Sequence, residues 1–256
     1  MRRDWTRDEV LAALHLYTQL SFGQLHKGNA DIKALAAKMG RTPSSVAMKL
    51  TNLASLDPQI TASGRKGLPG ASSLDRAVWS DLKGDWDTTA MAAQDCYARL
   101  MGDLSTAEQN EEPEAWTHLE GRTRTALVRV RANQHLFRRA VLNSYHGACC
   151  ISGLSEERLL IASHIVPWSE DHNNRLNPQN GLCLSALHDR AFDQGLIAVS
   201  PDYRVLISPT LKAAARNAFM ESSLFAYEGM TIAMPERFKP DPGFLKWHCD
   251  QFGFRY

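Results

Sequence analysis

The stretch Ala162-Ser163-His164-Ile165-Val166-Pro167-Trp168, followed by Asn177-Pro178-Gln179-Asn180-Gly181-Leu182-Cys183-Leu184-Ser185-Ala186-Leu187-His188, decides the reading of this chain. The apolar run from Leu159 to Ala162 reads as a strand ending at His164. Residues 167–178 carry loop chemistry, residues 181–184 read as a second short strand, and residues 186–194 as a helix closed by Gly195. A His, an Asn and a second His are thereby laid in order over two strands and the first turn of a helix.

Those residue types suit hydrolysis of a phosphodiester. That reaction needs an activated water, a cation to stabilise charge on the phosphate and leaving oxygen, and tight positioning. A His at a strand end can act as general base because its ordinary pKa lies near neutrality. An Asn can tie the intervening loop to the strand, and a His on the first turn of the helix can present its imidazole to a metal. Taken alone, His164 in an apolar strand would more often be a satisfied core histidine.

The segment resembles the HNH endonucleases, whose nuclease unit is a β-hairpin plus helix around one divalent metal. The likeness runs over residues 129–200 and includes Arg131-Ala-Asn-Gln-His-Leu-Phe-Arg138, Cys150-Ile-Ser-Gly153, Arg175-Leu-Asn-Pro-Gln-Asn-Gly-Leu182 and His188-Asp-Arg-Ala-Phe-Asp-Gln-Gly195. Its strings look like the branch found in bacterial restriction endonucleases. The resemblance implies His164 as general base, Asn180 as the loop-positioning residue and His188 as a metal ligand, with Mg²⁺ or Mn²⁺ as the cation. Many members place an Asp directly before the base His; here that position is Ser163. The second protein ligand is then left to another side chain such as Asp193, or to waters and the scissile phosphate, which suits an ion that keeps its waters. Asp193 has a competing role as a helix-end cap, Cys183 as core, and His248 as surface or packing residue.

Upstream, residues 8–19 read as an amphipathic helix with Thr6 as N-cap and Glu9 three residues later. A helix over 31–39 stops at Gly40, and another starts at Pro43. Two short helices joined at Gly40-Arg41-Thr42 have the layout of a helix-turn-helix, in which Arg41, Thr42, Ser44, Ser45 and Lys49 would face phosphates and base edges. Residues 57–73 read as loop, 73–82 and 88–101 as helices, and 125–145 as a basic helix or a strand followed by a helix. Arg129, Arg131, Arg138 and Arg139 lie off its apolar stripe, either along DNA phosphates or paired with acidic surface. Downstream, 196–199 and 204–207 form a hairpin pair. A helix over 209–222, a strand over 230–234 and a C-terminal helix through Trp247 follow.

The net charge of +1 hides a pattern: +5 over residues 1–70, −8 over 71–120, +6 over 121–146 and −2 over 147–256. A polyanion would be met by the first and third segments. Five cysteines without a CxxC pair signal neither a disulfide framework nor a four-cysteine site, so reduced thiols are expected and a structural Zn²⁺ is not. No apolar run of about eighteen residues or signal-peptide pattern is present, so a cytoplasmic protein is expected.

The expectation is an α+β chain. Its parts are a helical DNA-recognition domain over 1–105, a linker over 106–125 and a ββα-metal nuclease domain over 126–256. Its substrate would be double-stranded DNA, cut in a restriction or anti-phage role, by a homodimer or by successive nicks. Recognition of modified bases is left open by the sequence. The rivals are a regulator with a degenerate nuclease fold and an effector nuclease controlled by a messenger.

Overall fold

The computed structural model describes residues 3–62, 64–65, 67–102, 121–214 and 217–256, and for 121–132 the backbone alone. The acidic segment expected to link the domains falls largely outside the described residues. The chain divides into two compact units, Met1–Arg139 and Ala140–Tyr256. No helix of the described residues is long and apolar enough to cross a membrane.

The first unit is built on α1 (Arg7–Gln19), whose Thr6 cap and Glu9 form a reciprocal capping box. Val10, Leu14 and Tyr17 are fully buried on it, and the Tyr17 hydroxyl donates to Asp57 at 2.8 Å. Around it lie α2 (Ala30–Met39), α3 (Pro43–Ala54), the short α4 (Pro58–Ala62), α5 (Ser73–Gly84) and α6 (Trp86–Met101). Gly40 ends α2 with φ 62°, a left-handed conformation that glycine adopts without a Cβ penalty. Thr42 then caps α3, and Pro43 fills its first turn. Part of the loop expected over 57–73 is helical, because Pro58 opens a single turn that buries Ile60.

Two ion pairs hold this helical packing. Arg41 reaches back to Glu9 at 2.8 Å, with both side chains over nine-tenths buried, and its guanidinium lies 4.2 Å from the Trp5 ring centroid. Lys49 on α3 meets Asp75 on α5 at 2.6 Å. The other Asp75 oxygen accepts the Ser72 amide at 2.8 Å, so one carboxylate both caps α5 and neutralises a buried lysine.

The basic segment is one helix, α7 (Gly121–Ser144), without a preceding strand in its span. In the second unit β1 (Leu160–His164) pairs antiparallel with β2 (Gly181–Ser185), in a register that sets His164 opposite Gly181 and Ser163 opposite Leu182. The chain passes directly from β2 into α8 (Ala186–Asp193), with Ser185 as its N-cap. This ββα unit is followed by the hairpin of β3 (Ile197–Val199) and β4 (Val205–Ile207). The helix expected over 209–222 is two short pieces, α9 (Pro209–Ala213) and α10 (Ala218–Ser223). The expected strand over 230–234 reduces to one bridge, Arg204 to Thr231. Helix α11 (Pro242–Gln251) buries Leu245, His248 and Cys249. All five cysteines are buried free thiols.

Candidate active site

His164 stands at the end of β1, half-buried. Its Nε2–H donates to the Arg175 carbonyl at 2.9 Å, a bond that fixes the tautomer and leaves the lone pair on Nδ1. Burial pushes its pKa below the ordinary histidine value, and the Arg175 carbonyl partly opposes that. The ring is thus neutral at pH 7, the form a general base needs. Trp168 packs edge-on at 5.7 Å between centroids.

Asn180 clasps the loop between the strands. Its Oδ1 accepts the Val166 amide at 2.8 Å, and its Nδ2 donates to the carbonyls of Val166 at 3.0 Å and Asn174 at 3.2 Å. The side chain is 1% exposed, so each of these bonds replaces one that water would otherwise make. The clasp holds the chain on both sides of Trp168, and with it the carbonyl that orients His164.

His188 is differently placed from the sequence expectation. It is 3% exposed, with Nδ1 2.8 Å from Ser185 Oγ and 3.6 Å from Cys149 Sγ, and Nε2 2.9 Å from the Ser223 carbonyl. Nε2 donates to that carbonyl, which puts the lone pair on Nδ1 towards the Ser185 hydroxyl and the Cys149 thiol. On α8 the helical period carries His188 inward under Tyr227, whose ring meets it edge-on at 5.5 Å.

The next residue on that helix faces β1 instead. Asp189 is half-buried beside Ser163, and both burial and its environment bear on its charge: burial raises its pKa, while the Ser163 hydroxyl and Arg190 lower it less. One turn on, Asp193 is raised by burial and by the negative charge of Asp189. Two carboxylates four residues apart on one helix face repel each other. Ser163 Oγ is buried and has the Asp189 carboxylate as its neighbour. Two oxygen donors of like charge beside the Ser163 hydroxyl would suit a hard divalent cation, which would neutralise the pair and take its other ligands from water and phosphate. No group of three or more His, Cys, Asp or Glu side chains poised for a metal occurs among the described residues. Asp189 escaped the sequence reading, although its spacing of four to Asp193 was the available signal.

A pocket of about 280 Å³ opens beside His164, lined also by Pro167, Glu170, Asp193, Trp247, His248, Gln251 and Phe252. Gly195 makes room for its outer wall. Its φ is +62°, and a Cβ there would sit 2.1 Å from a Phe252 ring carbon.

The residues proposed to touch DNA are scattered. Arg41 and Lys49, expected as phosphate contacts, lie in the ion pairs with Glu9 and Asp75. Thr42 caps α3 by accepting the Ser45 amide; Thr42 and Ser44 are exposed and Ser45 half-buried. Arg139 is exposed and Arg138 half-buried, while the side chains of Arg129 and Arg131 lie outside the described residues.

Residues 149–200 match the family model HNH_2, an HNH endonuclease. The match begins at Cys149, takes in β1, the clasped loop, β2 and α8, and ends at Ser200 just past β3. Among curated proteins none matches the chain. His164 at the strand end, the asparagine clasp and the acid-bearing helix therefore sit inside the matched segment, and residues 149–200 are similar to the HNH endonuclease domain.

Proposed function

We propose that the chain is a divalent-cation-dependent endonuclease that cuts double-stranded DNA, with His164 as general base and the Asp189–Asp193 pair as the cation-holding groups. The observation that carries this reading is the placement of a neutral, carbonyl-anchored His164 and two like-charged carboxylates on the same ββα unit. His164 Nδ1 takes a proton from a water as that water's oxygen forms a bond to phosphorus and the P–O bond to the leaving oxygen breaks. The Arg175 carbonyl, already bound to Nε2–H, stabilises the imidazolium that results. Asn180 keeps that carbonyl and the loop in place. The cation, when bound, would stabilise negative charge on the phosphate and the leaving oxygen.

A restriction or anti-phage role is supported by the likeness of the quoted strings to that branch of the family. The α2–α3 pair is proposed to read DNA through the exposed end of α3, where Thr42, Ser44 and Ser45 offer hydroxyls. Cutting both strands then takes two catalytic units or two successive nicks. The test is cleavage of supercoiled plasmid by the full chain with Mg²⁺ or Mn²⁺. The expected result is nicked and linear product that disappears in EDTA; equal cutting in chelator would overturn the reading.

A further inference from the structure

Arg175 meets His164 by two routes. Its carbonyl accepts the Nε2–H of the ring at 2.9 Å, and its side chain runs back along the same loop to Trp168, whose own ring stands edge-on to His164. Arg175 Nε–H donates to the Trp168 carbonyl at 2.9 Å, the guanidinium lies 5.3 Å from the Trp168 ring centroid, and Nη2 meets His172 Nδ1. One half-buried arginine thus ties residue 168 to residue 175, and the tied arc is closed on the imidazole by the arginine's own carbonyl.

The asparagine clasp leaves that last bond undetermined. Asn180 holds Val166 and the carbonyl of Asn174, which fixes the peptide plane entering Arg175. The Arg175 carbonyl belongs to the next plane, which can still turn about ψ of residue 175 and φ of residue 176. A side chain tethered at Trp168 holds the Cα from which that plane starts. The direction of the carbonyl matters because the hydrogen bond made by one ring nitrogen of a histidine decides which nitrogen keeps the lone pair. Were the carbonyl to turn away, Nε2–H would lose its partner and the other tautomer would compete.

We propose that the Arg175 side chain is a positioning residue for His164: tethered to the Trp168 carbonyl and laid over its ring, it keeps the Arg175 carbonyl in line with Nε2–H, so that the lone pair stays on Nδ1. This rests on the nuclease reading for its purpose, since Nδ1 is the atom that would take the proton of the attacking water. The tautomer itself can be read without metal or DNA.

The test therefore uses the full chain carrying ¹⁵N-histidine, in EDTA and near neutral pH, where long-range ¹H–¹⁵N correlations separate a protonated ring nitrogen from one with a lone pair. In the parent His164 should show the Nε2–H form alone. Arg175→Met keeps the stem but has no donor, and should show both forms, with the two nitrogen resonances moved towards each other. Arg175→Gln places an N–H donor where the arginine has Nε, and should recover most of the single form. Single-turnover cleavage at saturating DNA should fall by about 10-fold in Arg175→Met, short of the ~10² expected for losing the base, with DNA affinity within a few-fold. A merely structural role would lower stability and leave one tautomer. An Nδ1–H form in the parent, a single Nε2–H form in Arg175→Met, or a Gln variant as mixed as the Met variant overturns the proposal. If Arg175→Met does not fold, judged by circular dichroism, Arg175→Ala is read in its place. Control of the tautomer without plasmid cleavage by the parent would sink the nuclease reading and keep the positioning role, and cleavage with an unmoved tautomer would do the reverse.

Discussion

The two units use charge in opposite ways. In the first, Arg41 lies against Glu9 and Lys49 against Asp75, each cation matched to an anion inside the helical packing. In the second, a half-buried Asp189 and an exposed Asp193 stand as like charges on one helix face, beside the Ser163 hydroxyl and a histidine held neutral. Opposite charges brought together specify how helices dock. Like charges brought together leave an electrostatic cost that a bound cation removes, so the second arrangement is readable as a site and the first is not.

The largest effect should come from breaking the matched pairs. Lys49→Ala leaves Asp75 buried without its partner and is expected to cost about 3–5 kcal/mol of stability in the first unit, read as a lower chemical-denaturation midpoint. Had Lys49 served DNA phosphates, the same change would instead leave stability intact and reduce the salt dependence of binding. That outcome would erase the contrast between the units.

His164→Ala comes next. It should lower the cleavage rate by at least ~10², about 2.7 kcal/mol of transition-state stabilisation, while DNA affinity stays within a few-fold. Single-turnover rates beside binding isotherms separate the two effects. His188→Ala should behave as a packing change, because its ring bonds Ser185 and Ser223 inside the fold. The expected loss is roughly 1–3 kcal/mol of stability, from the partners left unsatisfied. The cation concentration for half-maximal cutting should be unchanged.

The pH dependence differs between rate and stability. His164 must be neutral to accept a proton, and its pKa is lowered, so the rate should rise with pH to a level reached below the ordinary histidine range. For stability, His248 has its folded pKa depressed to about 4 from 6.5. Between those values the unfolded chain binds more protons than the folded one. The contribution of His248 is thus fully present above pH 6.5 and is lost as pH falls towards 4, by at most about 1.4 kcal/mol per pH unit. His15 in the first unit, stacked on Tyr97 and depressed to about 3, adds a loss of the same sign. Unfolding curves of His248→Phe should be flatter over that window than those of the parent; identical slopes would remove His248 from the account.

Local signals were legible and distant partners were not. The Thr6–Glu9 capping box, the Gly40 stop and the β1–β2–α8 order all follow from residues within a turn or two of each other. Arg41 and Lys49 looked like surface cations because their anions lie 32 and 26 residues away in sequence. His188 and Asp189 are neighbours in the chain, yet helical geometry sends one into the core and the other towards Ser163. Family likeness favoured the histidine because the motif names it. The segment 230–234 alternates in the manner of a strand, but only Thr231 finds a bridging partner.

The central claim is that the like-charged pair on α8, not His188, holds the cation. It is tested most directly by titrating the full chain with Mn²⁺ and following the free-ion electron paramagnetic resonance signal, in the parent, in His188→Ala, and in the double variant Asp189→Asn with Asp193→Asn. The account predicts that the parent and His188→Ala bind Mn²⁺ alike and that the double variant loses the site, with all three folded by circular dichroism. Retention of Mn²⁺ by the double variant together with its loss in His188→Ala would contradict it.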